Sequence, residues 1–204
     1  MYIPKLNLMT DHNEIVAFMQ QFSFAIIITT KKDLPIATHL PFIVTEENGS
    51  IVLYSHFAKA NEQWKEIENQ TVLVIFSEPH AYISPKHYEK ELNVPTWNYL
   101  SVHAYGQAKL VVEPDEAMNL LNNTISNFDS SYLEQWEKLP ETYKTGMMKG
   151  IVGFKITVTN LQAKKKLSQN KTSVEQQNII NELKQSSNSN ERQIGVFMEK
   201  EKLS

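Results

Sequence analysis

FAIIITTKKDLPIATHLPFIVTEENGSIVLYS, residues 24–55, decides the fold. Its first seven residues (24–30) are short, apolar and rich in β-branched side chains, the mark of a buried strand. KKD then turns the chain into LPIATHLPFIVT (34–45), and EENG leads into SIVLYS (50–55). Two long strands joined by a Gly-containing turn predict a hairpin. Pro41 has no N–H to give to a ladder, so its strand lies at a sheet edge or is bulged there.

Upstream, Thr10 or Asp11 can cap a helix in which Ile15, Phe18, Met19 and Phe22 recur at i, i+3, i+4 and i+7. Downstream, residues 59–69 are helix-compatible, with Trp64 and Ile67 as apolar anchors, and TVLVIFS (71–77) is another buried strand. A Pro- and aromatic-rich stretch follows (78–99). LSVHAYGQAKLVV (100–112) has strand character, with Gly106 as a bulge or a point of close approach. Residues 114–147 read as short helices, Pro114 and Pro140 each opening one. In IVGFKITVT (151–159) Val152, Phe154, Ile156 and Val158 alternate, as in a strand with one buried face. Thr172 and Glu175 offer a capping box to an amphipathic helix that runs through Leu183. QSSNSNER is linker-like, and GVFMEKEKLS is read as a short tail.

Early hairpins, late helices and no βαβ rhythm give a mainly β fold with helices (α+β). The expectation is an antiparallel barrel closed by about six strands, with inserted and C-terminal helices. Residues 1–185 form one domain with its helical insertion at about 114–147, and residues 186–204 are linker and tail.

With 204 residues, 41% of them hydrophobic and 21% charged, a real core can form. A formal charge of -3 argues against a broad grip on DNA phosphates. The single arginine, Arg192, leaves little for bidentate guanine readout. Without cysteine there is no disulfide, zinc-thiolate site or thiol nucleophile. MYIPKLNLMT lacks the basic and apolar regions of a signal peptide, and no apolar run approaches the roughly 20 residues of a span. A cytoplasmic protein with no membrane partner is expected.

Four stretches can carry chemistry. In YSHFAKANEQW (54–64), Lys59 falls where the first turn of a helix is expected, against the macrodipole at about 0.3–1 kcal/mol. It is either a solvated surface lysine or, with Ser55 and the free N–H groups, a phosphate partner. In ATHLPF (37–42), Thr38 and His39 sit where an edge backbone can hydrogen-bond a planar heterocycle, or His39 is a rim residue. VPTWNY (94–99) and PHAYISP (79–85) make either a stacking surface or packed loops and subunit contacts. In KKKLSQN (164–170) the lysines form a solvated turn, or Lys166, Ser168 and Gln169 meet phosphate. His39, His56, His80, His87 and His103 show no HxH or HExxH spacing, so no metal site is expected. GxSxG, P-loop and GxGxxG patterns are absent from the sequence.

Taken together, MYIPK, LPIATHLPF, YSHFAKANEQW, PHAYISP, VPTWNY, VHAYG, KGIVGFKI and KLSQN resemble the PaiB family of bacterial FMN-binding negative transcriptional regulators. The resemblance covers residues 1 to about 185. More distantly, that family is similar to the FMN-binding split barrels of the pyridoxamine-phosphate oxidase type. The resemblance implies a split β-barrel homodimer with FMN as cofactor at the subunit interface. It places the flavin along Thr38, His39, Leu40 and Pro41, and its phosphate near Ser55, His56, Lys59 and Asn61. Trp97, Asn98, Lys166, Ser168 and Gln169 would come from the partner subunit. Those oxidases present arginines to the phosphate, whereas this chain has lysine and histidine there. Lysine binds phosphate as a point charge.

The function implied is repression of sporulation and degradative-enzyme (protease) genes, through DNA or a protein partner, with no residue assigned to catalysis. Two alternatives remain open. One is a flavin-dependent oxidoreductase in which His56, His80 or His103 moves protons. The other is a haem-binding split barrel with histidine axial ligands.

Overall fold

The computed structural model describes residues 1–203. The chain divides into two units: residues 16–76 with 103–161, and residues 1–15 with 77–102 and the segment from 162 onward. The strands are β1 (Phe24–Lys31), β2 (Leu34–Pro41), β3 (Ile43–Glu47), β4 (Ser50–Ala58), β5 (Thr71–Phe76), β6 (His80–Ile83), β7 (Thr96–Val111) and β8 (Ile151–Lys166). The helices are α1 (His12–Gln21), α2 (Pro114–Phe128), α3 (Leu133–Glu137), α4 (Glu141–Met148), α5 (Ser173–Gln185) and α6 (Ser189–Leu203).

In the first unit the strands lie in the order β2-β1-β5-β7-β8-β4-β3, so β2 and β3 are end strands. The expected closed barrel of about six strands is therefore an open antiparallel sheet, with eight strands once β6 is counted. Two physical facts account for the difference. The run 34–45 breaks at Phe42, whose N–H leaves the ladder for the Ser23 carbonyl (2.8 Å) and whose ring is fully buried. β6 hides in the Pro-rich stretch, too short to show a period.

The hairpins have two-residue turns. Lys32 and Asp33 take φ of 51° and 64°, and Asn48 and Gly49 take 51° and 77°. Paired left-handed residues match the twist of antiparallel strands, which is why Asn-Gly appears there. Inside, Phe57 stacks on Phe154 with ring centres 4.8 Å apart, and Phe42 meets Phe76 and Phe154 edge-on at 6.0 and 6.2 Å. Asp11 is the residue that caps α1, its carboxylate accepting from Glu14 N–H at 2.8 Å. Gly106 is the expected close approach: a Cβ there would lie 2.4 Å from the Thr157 carbonyl oxygen.

In the second unit β6 pairs with the first residues of β7, His80 opposite Tyr99 and Ile83 opposite Thr96. The capping box of α5 forms: Thr172 Oγ1 accepts from Glu175 N–H (3.2 Å), and Glu175 accepts from Thr172 N–H (3.1 Å). The segment read as linker and tail contains α6. Its sequence is polar, but Ile194 and Met198, four apart, are buried, and Gly195 lets it approach Leu183 and Lys184 of α5. Lys164, Lys165 and Lys166 end β8 rather than forming a solvated turn. Strand alternation separates their partners: Lys164 lies over Tyr99 (5.1 Å) and bonds the Tyr2 carbonyl, whereas Lys165 bridges Glu14 (2.9 Å) and Glu201 (2.5 Å). No helix among the described residues is long and apolar enough to cross a membrane.

Candidate functional site

β4 ends at Ala58, which pairs with Ile151 at the start of β8. One residue further, Lys59 N–H donates to the Gly150 carbonyl at 2.8 Å, and the Lys59 carbonyl accepts from the Trp64 indole at 3.1 Å. Asn61 caps a short 3-10 helix, Glu62–Lys65, by accepting from Gln63 N–H at 3.1 Å. Lys59 thus precedes the cap in a turn, and the expected first-turn position against a macrodipole is corrected. Trp64 and Ile67, three apart, suit a 3-10 repeat as well as an α-helix, and 59–69 supplies no further anchor to lengthen one.

The junction opens on a cavity of about 440 Å³ whose lining includes Lys59, Trp64, Val112, Met148, Lys149 and Ile151. Lys149 caps the C-terminus of α4, where a cation is favoured by the helix field. Both lysines are exposed. Neither ammonium has an ion pair or hydrogen bond among the described residues. Two uncommitted cations, the Trp64 indole and apolar walls suit a flat anionic ligand. Lys149 was missed as a site residue: it stands in KGIVGFKI, but the register that brings it to Lys59 is not a local signal.

The β2 residues adjoin this junction through Thr38. Its hydroxyl donates to Gln63 Oε1 (2.6 Å) and accepts from Asn61 Nδ2 (3.0 Å). Gln63, also missed, is buried and donates onward to Thr29 Oγ1 (3.0 Å) and the Ile36 carbonyl (3.2 Å). Ser55 is 3% exposed and donates to the Pro41 carbonyl at 2.7 Å. It closes the fold there, and its one proton is placed on that carbonyl. His39 is exposed on the end strand and stacked on Phe24 at 6.2 Å, and Leu40 is half-buried. Burial pushes the His56 imidazole below its ordinary pKa, holding it neutral.

The remaining five residues form their own cluster in the other unit. Asn98 is fully buried, donating to Met198 Sδ (3.4 Å) and accepting from the Ser168 hydroxyl (3.1 Å). Gln169 folds back on the Leu167 N–H (2.7 Å) and the Lys165 carbonyl (2.8 Å). Lys166 donates to the Trp97 carbonyl at 2.9 Å and to Thr96. Asn98 and Ser168 therefore hold the unit together from inside. Trp97 is exposed, with Tyr82 and His80 against it at 5.8 Å each.

Comparison with known proteins adds the family. A family model described as "Putative FMN-binding domain" matches residues 1–160. The chain is 42% identical over 204 residues to the Protease synthase and sporulation protein PAI 2 of Bacillus subtilis (strain 168), covering 98% of this chain and 97% of that protein. Among solved structures it is similar to the flavocytochrome Anf3 from Azotobacter vinelandii, with a TM-score of 0.64 and 17% identity over 81% of this chain and 72% of that one. It is also similar to the FAD and heme binding protein from Mycobacterium smegmatis, with a TM-score of 0.61 and 12% identity over 78% and 73% of the two chains. At such identities these structures share the fold alone. The open antiparallel sheet is that of the split barrel, and the chain belongs to the FMN-binding family that includes the PaiB proteins.

Proposed function

We propose that this protein is a PaiB-type negative regulator of sporulation and degradative-enzyme genes whose split barrel holds FMN. The regulatory half rests on identity that runs end to end with a relative named for protease synthesis and sporulation. The flavin half is carried by the cavity with two uncommitted ammonium groups beside Trp64. Its volume lies within the roughly 300–1,000 Å³ of small-molecule sites. Lys59 and Lys149 hold the phosphate, and Trp64, Met148 and Ile151 flank the flat ring. When bound, FMN supplies a redox-active ring, and the chain supplies grip and orientation.

Repression runs through a protein partner or through the ligand rather than through bases read directly. Arg192 is engaged at its own helix start, donating to the Ser186 carbonyl at 2.6 Å. A homodimer covers the exposed aromatic face of Tyr82 and Trp97. The test is purification followed by an absorption spectrum, FMN titration, sedimentation and a gel shift on promoter DNA at physiological salt. A dimer that takes up FMN and shifts DNA only with a partner is expected. A colourless protein that refuses FMN overturns the flavin half, and a direct shift overturns the indirect route.

A further inference from the structure

A second cavity, of about 350 Å³, lies between the outer face of β3, β4 and β8 and the inward face of α2. The pairing of the strands sets Ile43, Tyr54 and Lys155 side by side across this face, because Ile43 is opposite Tyr54 and Tyr54 is opposite Lys155. From α2, Glu116, Asn119, Leu120 and Asn123 fall at i, i+3, i+4 and i+7, one helical face. Leu120 is buried, and with Ile43 and Val111 it makes an apolar floor.

The polar lining divides into committed and uncommitted groups. Tyr54 donates to Glu47 Oε1 at 2.6 Å, and Thr45 leans on the same carboxylate at 3.4 Å. Lys155 is half-buried, yet its ammonium has no ion pair or hydrogen bond among the described residues. The Glu116 carboxylate and the two asparagine amides, on exposed residues, also have no hydrogen bond or ion pair there, so the cost of a missing partner falls on Lys155. Glu116 and Lys155, opposite in sign, line one cavity without meeting. A half-buried charge without a partner is costly, and a ligand carrying the complementary charge removes that cost.

We propose that this cavity binds a small zwitterion with an apolar side chain, an aliphatic α-amino acid by class. Its carboxylate meets Lys155, its ammonium meets Glu116 with help from an asparagine carbonyl, and its side chain lies on Leu120 and Ile43. At about 350 Å³ the cavity lies at the small end of ligand sites. Apart from Val111 it shares no lining residue with the Lys59 cavity, so the inference stands apart from the flavin reading.

The test is calorimetric titration of the full chain with L-leucine, L-leucine methyl ester and N-acetyl-L-leucine. Saturable binding of L-leucine is expected, with each blocked analogue at least tenfold weaker. Lys155→Met and Glu116→Gln should each weaken L-leucine at least tenfold. Absence of saturable heat, or equal affinity for all three compounds, overturns the proposal. Should either variant misfold, the three compounds on the unaltered chain still decide the matter, and FMN uptake measured in parallel separates this failure from failure of the flavin reading.

Discussion

Replacing Lys59 and Lys149 by alanine, singly and together, separates phosphate recognition from recognition of the ring. Both lysines are exposed at the cavity rim. Two unit charges about 4 Å apart attract by about 1 kcal/mol in bulk water and about 4 kcal/mol near a protein surface. Rim lysines fall between these limits, and a charged hydrogen bond contributes about 1.5–3 kcal/mol before that exposure is discounted. We therefore expect each substitution to cost about 1–2 kcal/mol of FMN affinity, roughly 5- to 30-fold. Because both ammonium groups serve one phosphate, the double substitution should differ from the sum of the singles.

Flavin fluorescence titration reads this directly, with riboflavin as the control that lacks the phosphate. Riboflavin affinity should change less than twofold in every variant, and the FMN effect should shrink as salt rises, as screening requires. Equal loss for FMN and riboflavin would show that the lysines merely shape the cavity. No loss for either would place the phosphate elsewhere and refute the reasoning outright.

Four further outcomes are expected. Gly106→Ala puts a methyl group 2.4 Å from the Thr157 carbonyl oxygen and 2.5 Å from Ile156, and should cost about 3 kcal/mol in a urea melt. Thr172→Ala removes the side-chain half of the α5 cap and should cost about 1 kcal/mol, read the same way. Burial and the nearby Glu47 carboxylate push Tyr54 up to about 12, so the folded state keeps a proton that the unfolded state releases near pH 10. Stability should fall between about pH 10 and 12, and Tyr54→Phe should remove the last tyrosinate step in the ultraviolet titration. His56 is held below its ordinary value by burial, so the unfolded state binds the proton first on acidification. Stability should decline as pH drops through about 6.5, and the His56 imidazole should titrate in NMR below that ordinary value.

Much of the fold was legible because local chemistry and tertiary context agree. Asn48-Gly49 names its own turn, Pro41 marks an end strand, and Gly106 marks a close approach. Legibility fails where a local pattern is ambiguous or too short. Phe42 continues an apolar run yet leaves the ladder, β6 has only four residues, and α6 presents a polar sequence around Ile194 and Met198.

The site divides along the same line. Edge-strand and junction residues could be named from sequence because they cluster in short stretches, but what each side chain does depends on groups far away in the chain. Ser55 turns to Pro41, Asn98 and Ser168 turn to each other, and Thr38 turns to Gln63. A hydroxyl or amide in a motif reads identically whether it faces ligand or backbone, since only the fold supplies the competing acceptor. The cations invert this. Lys59 and Lys149 are distant in sequence, and the pairing of Ala58 with Ile151 brings their backbones together while leaving both ammonium groups without an ion pair or hydrogen bond among the described residues. For neutral donors the fold supplies competing acceptors; at this cavity it leaves two ammonium groups without an ion pair among the described residues, which is why the proposed phosphate is set there.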